Sequence, residues 1–276
     1  MTSAEIAANQ REWAVVTGAS SGIGRAFALE LARRGHPILL VARRRDELQR
    51  VAAEITAGGG RAEPLVADLA SADGVEAVAR AAEGLADVGV LVNNAGAGSY
   101  GPFLEQPVGR DAAQVALNID AVVALTRRLL PRMVARGRGQ IINVASILAF
   151  MPTPYFATYA ATKAFVLSFS EALAHELHGT GVRVLAASPG VVKTEFSGVA
   201  GSPEQESALP KLTPDAVVRA TLRAAESGRV VRVVGPAYRL LAVVAAITPR
   251  PLMRRIMGRI FAPHRPAPSS EQHLLT

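Results

Sequence analysis

Apolar and polar positions along the chain follow two alternating patterns. Short, continuous apolar runs predict strands that are buried on both faces; they are Trp13–Thr17, Pro37–Ala42, Ala62–Ala67, Val88–Val92, Gln140–Ala145, Val182–Ala187 and Val230–Val234. Between them, apolar residues recur every three or four positions and predict helices; these are Ile23–Arg34, Asp46–Ala57, Ala72–Leu85, Asp111–Arg136, Thr158–His178 and Pro214–Ser227.

This alternation predicts an α/β fold with a doubly wound parallel sheet of the Rossmann type. No internal repeat or linker interrupts it before about Gly235. We therefore predict one domain at 1–235, followed by an apolar and basic C-terminal extension and tail at 236–276. A loose tail is expected at 262–276.

Composition narrows the class of protein. Half of the 276 residues are hydrophobic and 19% are charged, which is typical of a globular chain. The absence of cysteine excludes disulfides, thiolate catalysis and cysteine-ligated metals, and no metal site is predicted. Neither a secretory signal nor an apolar run of the roughly 20 residues that span a bilayer is visible, so a cytoplasmic protein is expected.

The net charge of +7 is concentrated near the C-terminus. No acidic residue occurs between Glu226 and Glu271, whereas eight arginines do. Nucleic-acid-binding surfaces more often interleave basic residues with aromatic ones, and Tyr238 and Phe261 are the only aromatics in this stretch. We predict no nucleic-acid partner.

A glycine-rich turn follows the first predicted strand. It runs from Thr17 to Gly24 with the spacing Gly-x-x-x-Gly-x-Gly and opens the first helix. Glycines there let the backbone turn tightly and let a pyrophosphate approach the helix N-terminus, where free N–H groups favour anions. A purely structural turn is the alternative, but the position after the first strand of a βαβ unit favours a dinucleotide.

The residues at the end of the second strand indicate whether the dinucleotide is NAD(H) or NADP(H). An NAD enzyme would place an acid there for the ribose 2′-hydroxyl, whereas this strand ends in Ala42 followed by Arg43, Arg44 and Arg45. Guanidinium groups pair with a 2′-phosphate, so the sequence predicts NADP(H) with Arg43 as the contact. Arginines that merely decorate a loop are the alternative.

Three polar residues form a candidate catalytic set. Tyr159 and Lys163 lie four apart on a predicted helix and share one face. A nearby ammonium is expected to lower the pKa of the tyrosine and make it a usable acid/base. Ser146 follows the carboxyl end of the fifth strand, at the sheet edge where ligands bind, and can hydrogen-bond a carbonyl that gains negative charge.

The chain resembles the classical short-chain dehydrogenases/reductases. The pieces that carry this resemblance occur in order and span most of 13–235; they are Thr17–Gly24, Asp68-Leu69, Asn93-Asn94-Ala95-Gly96, Asn118, Ser146, Tyr159-Ala160-Ala161-Thr162-Lys163, and Pro189-Gly190 with Thr194. The resemblance implies an oxidoreductase that moves a hydride between a nicotinamide and a carbonyl or alcohol. It also implies an oligomer.

The resemblance also implies a role for each matching residue. Tyr159 would exchange the proton, Ser146 would hold the substrate oxygen, Lys163 would bind the nicotinamide ribose, and Asn118 would position a water that supplies protons. Asp68 and Leu69 would meet the adenine; the remaining implied cofactor contacts are Gly18, Ser20, Ser21, Gly22, Ile23, Gly24, Asn94, Ala95, Gly96, Pro189, Gly190, Val192 and Thr194. For Asn94, a structural role as a turn residue is equally well supported.

The segment after Ser146 is strongly apolar up to Phe156, and a further loop is predicted from Glu195 to Leu212. The resemblance implies that both segments shape the substrate pocket, and the apolar first segment favours an apolar ketone, aldehyde or secondary alcohol as substrate. Packing of the same residues against a partner subunit is the alternative. The alternatives to this reductase are a non-catalytic, cofactor-sensing binding module, and an epimerase or dehydratase on the same fold.

Two features bear on assembly and location. The helices at Asp111–Arg136 and Thr158–His178 are long, and the resemblance implies a homodimer or homotetramer that pairs them. Leu240–Ile247 is apolar, and a helix beginning near Pro251 alternates apolar residues with arginines. This C-terminal pattern fits either a lid or subunit contact, or a peripheral membrane contact through 238–262.

Overall fold

The computed structural model describes residues 12–201 and 209–263. Part of the loop predicted at Glu195–Leu212 and most of the predicted tail at 262–276 lie outside the described residues. Within them, no helix is long and apolar enough to cross a bilayer.

Seven parallel strands form one sheet in the order β3-β2-β1-β4-β5-β6-β7. Their bounds are β1 Trp13–Thr17, β2 Ile38–Ala42, β3 Ala62–Val66, β4 Val88–Asn93, β5 Gly139–Val144, β6 Val182–Pro189 and β7 Val231–Val234. The predicted doubly wound parallel sheet is confirmed. Strands β2 and β3 lie on one side of β1, and β4 to β7 lie on its other side. The strand order therefore switches between β1 and β4, and folds of this kind bind ligands in the crevice at the carboxyl ends of two such strands.

Ten α-helices are described, and most of them connect successive strands. They are α1 Gly22–Arg33, α2 Arg45–Ala57, α3 Ala72–Gly84, α4 Arg110–Val115, α5 Ala121–Ala135, α6 Ala157–Glu176, α7 Phe196–Ala200, α8 Pro214–Glu226, α9 Pro236–Ile247 and α10 Arg250–Ile260. Two short 3₁₀ helices lie at Phe103–Glu105 and Ile147–Phe150.

Alternate residues of the central strands enter two separate cores. Val15 and Leu91 pack on one face of the sheet with α3, α5 and α6. Ala14, Val16 and Val92 pack on the other face with α1, α2 and α8. A strand that buries both of its faces needs apolar residues at every position, which explains the continuous apolar runs in the sequence.

The structure differs from the sequence prediction in two connections. The long helix expected at Asp111–Arg136 contains a π-helical turn at Ala116–Asp120 that separates α4 from α5, and π turns frequently occur at functional sites. The loop expected at Glu195–Leu212 begins with the short helix α7. Neither feature has a signature in hydrophobic periodicity, because a single turn is too short to establish a period.

Candidate active site

The glycine turn between β1 and α1 leaves no room for side chains. Gly18 and Gly22 have positive φ angles of 66° and 54°. A Cβ atom on Gly24 would lie 2.1 Å from the carbonyl oxygen of Gly18. Ser21 caps α1 with an extended backbone and makes no side-chain capping bond, so the first N–H groups of the helix are free for an anion.

The neighbouring strand end is tied to this turn by hydrogen bonds. The Thr17 hydroxyl accepts bonds of 2.9 Å from the N–H groups of Asn94 and Ala95 and donates to the Val92 carbonyl. The Asn94 amide donates to the Thr17 carbonyl at 2.9 Å. These hydrogen bonds support a structural role for Asn94, and they are compatible with a contact between Asn94 and the cofactor. Thr17 holds the two strand ends together, which the sequence did not predict.

A groove beside the α1 N-terminus collects residues from distant parts of the chain. Ser21, Gly22 and Arg25 line one wall, and Lys193 and Thr194 line the other. A Cβ atom on Gly22 would lie 3.0 Å from Thr194 Cγ2, so the two walls approach closely. Arg25 and Lys193 are cationic candidates for a phosphate contact that the motif comparison did not predict.

The arginines after β2 do not share one environment. All three are exposed, and the Arg43 side chain makes no ion pair or hydrogen bond with residues 12–201 or 209–263. The Arg44 guanidinium instead lies 3.3 Å from the Ser20 hydroxyl and forms a 2.9 Å ion pair with Glu195. Arg44 therefore joins Arg43 as a candidate 2′-phosphate contact. Ile23, a predicted cofactor contact in the glycine turn, is partly buried and packs against the core beneath that turn.

The predicted adenine contacts lie just beyond β3. Asp68 is exposed, and its carboxylate accepts a 3.0 Å hydrogen bond from the Ala70 N–H. Leu69 is buried in the core that also contains Val15. The sheet order places both residues at the carboxyl edge on the same side as the arginines after β2.

The catalytic candidates converge at the carboxyl end of β5. Ser146 is buried, and its hydroxyl accepts a 3.2 Å hydrogen bond from the Leu148 N–H at the start of the 3₁₀ helix. Tyr159 and Lys163 are buried on the same face of α6. The Lys163 ammonium donates a 2.7 Å hydrogen bond to the Val144 carbonyl and lies 5.9 Å from the centre of the Tyr159 ring.

Asn118 sits in the π-helical turn and is held on three sides. Its amide donates 2.9 Å hydrogen bonds to the Ala97 carbonyl and the Thr162 hydroxyl, and its carbonyl accepts one of 2.9 Å from the Ala97 N–H. A Cβ atom on Gly96 would lie 3.2 Å from Asn118 Oδ1 and 3.3 Å from Lys163 Nζ. Gly96 therefore lies between the two polar side chains.

Burial shifts the ionisation of both titrating candidates. It raises the pKa of Tyr159 to about 12, and hydrogen bonding to Ser146 opposes this rise. It lowers the pKa of Lys163 to about 8. The sequence predicted a lowered pKa for Tyr159, whereas burial is the largest influence on that pKa in the structure and raises it. The Lys163 ammonium bonds the Val144 carbonyl.

The segment after β6 carries the remaining predicted cofactor contacts. Pro189 ends the strand, and Gly190 follows against the Tyr238 ring, where a Cβ atom would lie 2.2 Å from the ring carbons. Val192 forms a β-bridge with Leu212. This segment is therefore positioned by α9, which carries Tyr238.

An aromatic cluster surrounds Tyr159. Its ring lies 5.2 Å from the Phe196 ring and 6.1 Å from the Phe156 ring, centre to centre. Phe156 meets the edge of Phe261 at 5.4 Å and the Tyr100 ring at 5.1 Å. The sequence predicted substrate-pocket positions for Phe156 and for the loop that contains Phe196, and a lid was one alternative for the segment that contains Phe261. It gave no such prediction for Tyr100, which comes from a distant part of the chain.

Comparison with known proteins relates this geometry to a family. A model of the short chain dehydrogenase family matches 12–205. The very-long-chain 3-oxoacyl-CoA reductase of Anas platyrhynchos is 38% identical over 220 residues, which are 76% of this chain and 67% of that protein. The chain spans 62–67% of the length of three curated relatives that it matches.

Two similar solved structures contain nicotinamide cofactors. A short-chain dehydrogenase from Sphingobium yanoikuyae, in complex with NADPH, is 35% identical with a TM-score of 0.78 over 85% of this chain and 93% of that one. A short chain dehydrogenase/reductase from Burkholderia phymatum, in complex with NAD, is 28% identical with a TM-score of 0.76 over 84% and 92%. With the family model matching well over half of its length, the chain belongs to the short chain dehydrogenase family.

Proposed function

We propose that the protein is an NADP(H)-dependent oxidoreductase that reduces an apolar ketone or aldehyde, with Tyr159 as the proton donor. The observation that carries this proposal is the burial of the Tyr159 hydroxyl beside Ser146, within a cluster of aromatic rings. The fold alone would suit many activities, so the proposal depends on this site.

The residues at the carboxyl edge suit a dinucleotide. The glycine turn would hold the pyrophosphate through backbone N–H groups, since side chains at Gly18 or Gly24 would fill the space. Arg43 or Arg44 would pair with the 2′-phosphate, and Lys193 and Arg25 border the phosphate groove. Bound NADPH would supply the hydride.

The chain's own residues would handle the proton. At neutral pH a phenol whose pKa is about 12 stays protonated, which is the form that donates to a developing alkoxide. Ser146 would hydrogen-bond the same substrate oxygen. Lys163, with a pKa of about 8, is protonated in most molecules at neutral pH. Its positive charge would stabilise the phenolate that Tyr159 becomes after it donates the proton.

The aromatic residues near Tyr159 support the proposed substrate class. The rings of Phe156 and Phe196 lie beside Tyr159, and Phe261 packs against Phe156. A carbonyl compound with an apolar chain or ring system next to the reacting carbon fits such walls. The relative from Anas platyrhynchos, a very-long-chain 3-oxoacyl-CoA reductase, supports including 3-oxoacyl thioesters among the candidates.

A panel of carbonyl compounds tests this function directly. Fatty 3-oxoacyl thioesters, steroid ketones and aromatic ketones are each mixed with NADPH or NADH, and nicotinamide absorbance is followed. We expect turnover with NADPH on at least one class. Tyr159→Phe should reduce turnover by about 100-fold to 10,000-fold with little change in NADPH affinity.

Tyr238→Phe is the matched control, because it also removes one buried phenol hydroxyl but leaves Tyr159 in place. It should retain turnover. Tight NADPH binding without turnover on any class would favour the cofactor-sensing module instead. A product formed without a stoichiometric absorbance change would favour an epimerase or dehydratase.

The same proposal includes chain organisation and assembly. We place the cofactor-binding and catalytic unit at 1–235 and the extension at 236–276, and we propose a homodimer or homotetramer through α5 and α6. Phe165 of α6 supports the assembly, since it is 40% exposed and stacks on Phe169 at 6.0 Å. Light scattering of Phe165→Asp should show a lower mass than the parent protein.

A further inference from the structure

The two C-terminal helices are firmly attached to the body of the protein by one face. Tyr238 of α9 and Met253 and Met257 of α10 are buried in a cluster with Ile147 and Met151, which lie in the segment after Ser146. The Tyr238 hydroxyl donates a 3.1 Å hydrogen bond to the Pro210 carbonyl. The inner face therefore packs against the segment that follows Ser146.

The outer face of the same helices is apolar and has no partner among the described residues. Leu240 and Ile247 of α9 are 66% and 77% exposed, and Ile260 of α10 is 57% exposed. Seven of the fifteen large hydrophobic residues that are exposed in the described chain lie on these two helices; they are Leu240, Val243, Val244, Ile247, Leu252, Ile256 and Ile260. Helical spacing puts the first four on one side of α9 and the last three on one side of α10.

Arginines border both apolar stripes. By helical spacing, Arg255 and Arg259 flank the stripe of α10, and Arg239 flanks that of α9. All three are exposed, and none forms an ion pair with the described residues. No acidic residue lies between Glu226 and Glu271 to neutralise them.

Positive charge is also crowded at the base of α9. The pKa of Arg232 is lowered, first by burial and then by repulsion from Arg239, Arg229 and Arg223. A surface that combines exposed aliphatic side chains with like charges that repel one another is complementary to a partner that is both apolar and anionic.

We propose that the outer face of α9 and α10 docks on an anionic lipid bilayer, with the aliphatic stripes entering the acyl boundary and Arg239, Arg255 and Arg259 contacting headgroup phosphates. The helices have 12 and 11 residues and cannot span a bilayer, so the contact is peripheral. This proposal is independent of the reaction that the site catalyses.

A second copy of the chain is a poorer occupant of this face. In a two-fold interface the same patch meets itself. The arginines of one copy would then approach those of the other, with no acidic residue of this stretch to separate them. Lipid phosphates supply the missing negative charge without that repulsion.

Vesicle sedimentation of the full chain tests the proposal. Vesicles of phosphatidylcholine alone are compared with vesicles of equal parts phosphatidylcholine and phosphatidylglycerol, at low and high salt. We expect binding to the anionic vesicles at low salt, release as salt rises, and no binding to phosphatidylcholine alone. Failure to bind anionic vesicles at low salt would overturn the proposal.

Substitutions on the surface avoid unfolding the protein, whereas deletion of 238–276 would remove the buried Tyr238, Met253 and Met257. The triple variant Arg239→Gln, Arg255→Gln, Arg259→Gln should weaken partitioning about fivefold per arginine, or on the order of 100-fold in all. Replacing Leu240, Ile247 and Ile256 with serine should weaken it at least about tenfold. NADPH affinity and the unfolding midpoint report whether each variant is folded.

A matched control changes the same charge elsewhere. Arg33, Arg50 and Arg80 are exposed on α1, α2 and α3, and their replacement by glutamine should alter partitioning less than about threefold. If this control variant lost as much vesicle binding as the first triple variant, net charge alone would explain the binding, and the proposed docking face would be overturned. Unchanged vesicle binding by the serine variant, with a lower mass in light scattering, would assign the face to a second copy.

Discussion

The glycine turn after β1 and the helices after β7 border the same site, but backbone atoms form the surface of the first and side chains form the surface of the second. At the turn, the backbone itself forms the surface, and a Cβ atom at Gly24 would meet the Gly18 carbonyl at 2.1 Å. At the C-terminal helices, large side chains such as Tyr238, Met253 and Phe261 form the surface. One region excludes side chains and the other depends on them.

This difference teaches which substitutions each region tolerates. Backbone atoms in contact cannot rotate away, so an added methyl group at the turn forces the chain to move. Flexible side chains such as methionine can rearrange to fill gaps. We therefore expect steep effects at the turn and shallower ones at the C-terminal helices.

The largest effect is expected at Gly24. Gly24→Ala should lower the free energy of unfolding by about 3 kcal/mol, at the upper end of the cost of overpacking, because the collision is with backbone. Denaturant unfolding measures this change. Gly84→Ala is the matched control: its Cβ would have no neighbour within 4 Å and its φ is ordinary, so stability should stay within about 1 kcal/mol or rise. Equal losses of unfolding free energy in Gly24→Ala and Gly84→Ala would show that the glycine turn is no less tolerant of a side chain than an open helix end.

Lys163, between the two regions, should make stability depend on pH. Its pKa falls from 10.5 to about 8 on folding, so between these values the unfolded chain binds more protons at this group and the group's contribution to stability rises with pH. Relative to Lys163→Met, the parent protein should gain about 2 kcal/mol between pH 7.5 and pH 9.5. Urea unfolding of both proteins at each pH measures this gain. A constant difference would show that the ammonium keeps its ordinary pKa.

Cofactor preference should shift by a smaller amount at the arginines after β2. Arg44→Ala should weaken NADPH binding by about 1.5 kcal/mol, the lower end for a charge-assisted hydrogen bond because the side chain is exposed, and should leave NADH nearly unaffected. Titration of both cofactors against Arg43→Ala and Arg44→Ala identifies which guanidinium meets the 2′-phosphate. Equal losses for NADPH and NADH in both variants would exclude that role.

The smallest effect is expected at Tyr238. Its hydroxyl donates to the Pro210 carbonyl, so Tyr238→Phe should lower the free energy of unfolding by about 1 kcal/mol, the value of one neutral hydrogen bond. The ring that packs on Gly190 remains in place. A loss comparable to that of Gly24→Ala would mean that the C-terminal helices are as intolerant as the glycine turn.

Much of the fold was predictable because its signals are local. The seven strands lie within about two residues of their predicted bounds. The central strands are the clearest case, since strands between two helical layers are mostly apolar, whereas the edge strand β3 contains Glu63 and is only partly buried. Ser146, Tyr159 and Lys163 were found together because one follows a strand end and the other two share a helix face. Periodicity and motif spacing carry this information without any long-range contact.

The sequence by itself also determined the family of this protein and the glycine turn that its cofactor requires. Only the tertiary structure decided that Arg44 reaches Ser20 and Glu195, which lies 151 positions away. The structure alone brought Tyr100, Phe196 and Phe261 into one cluster with Phe156 and Tyr159. It also raised the pKa of Tyr159 where sequence reasoning lowered it. The physical reason is that desolvation and aromatic contacts depend on what surrounds a group in space, and segments far apart in the chain supply those surroundings only after folding.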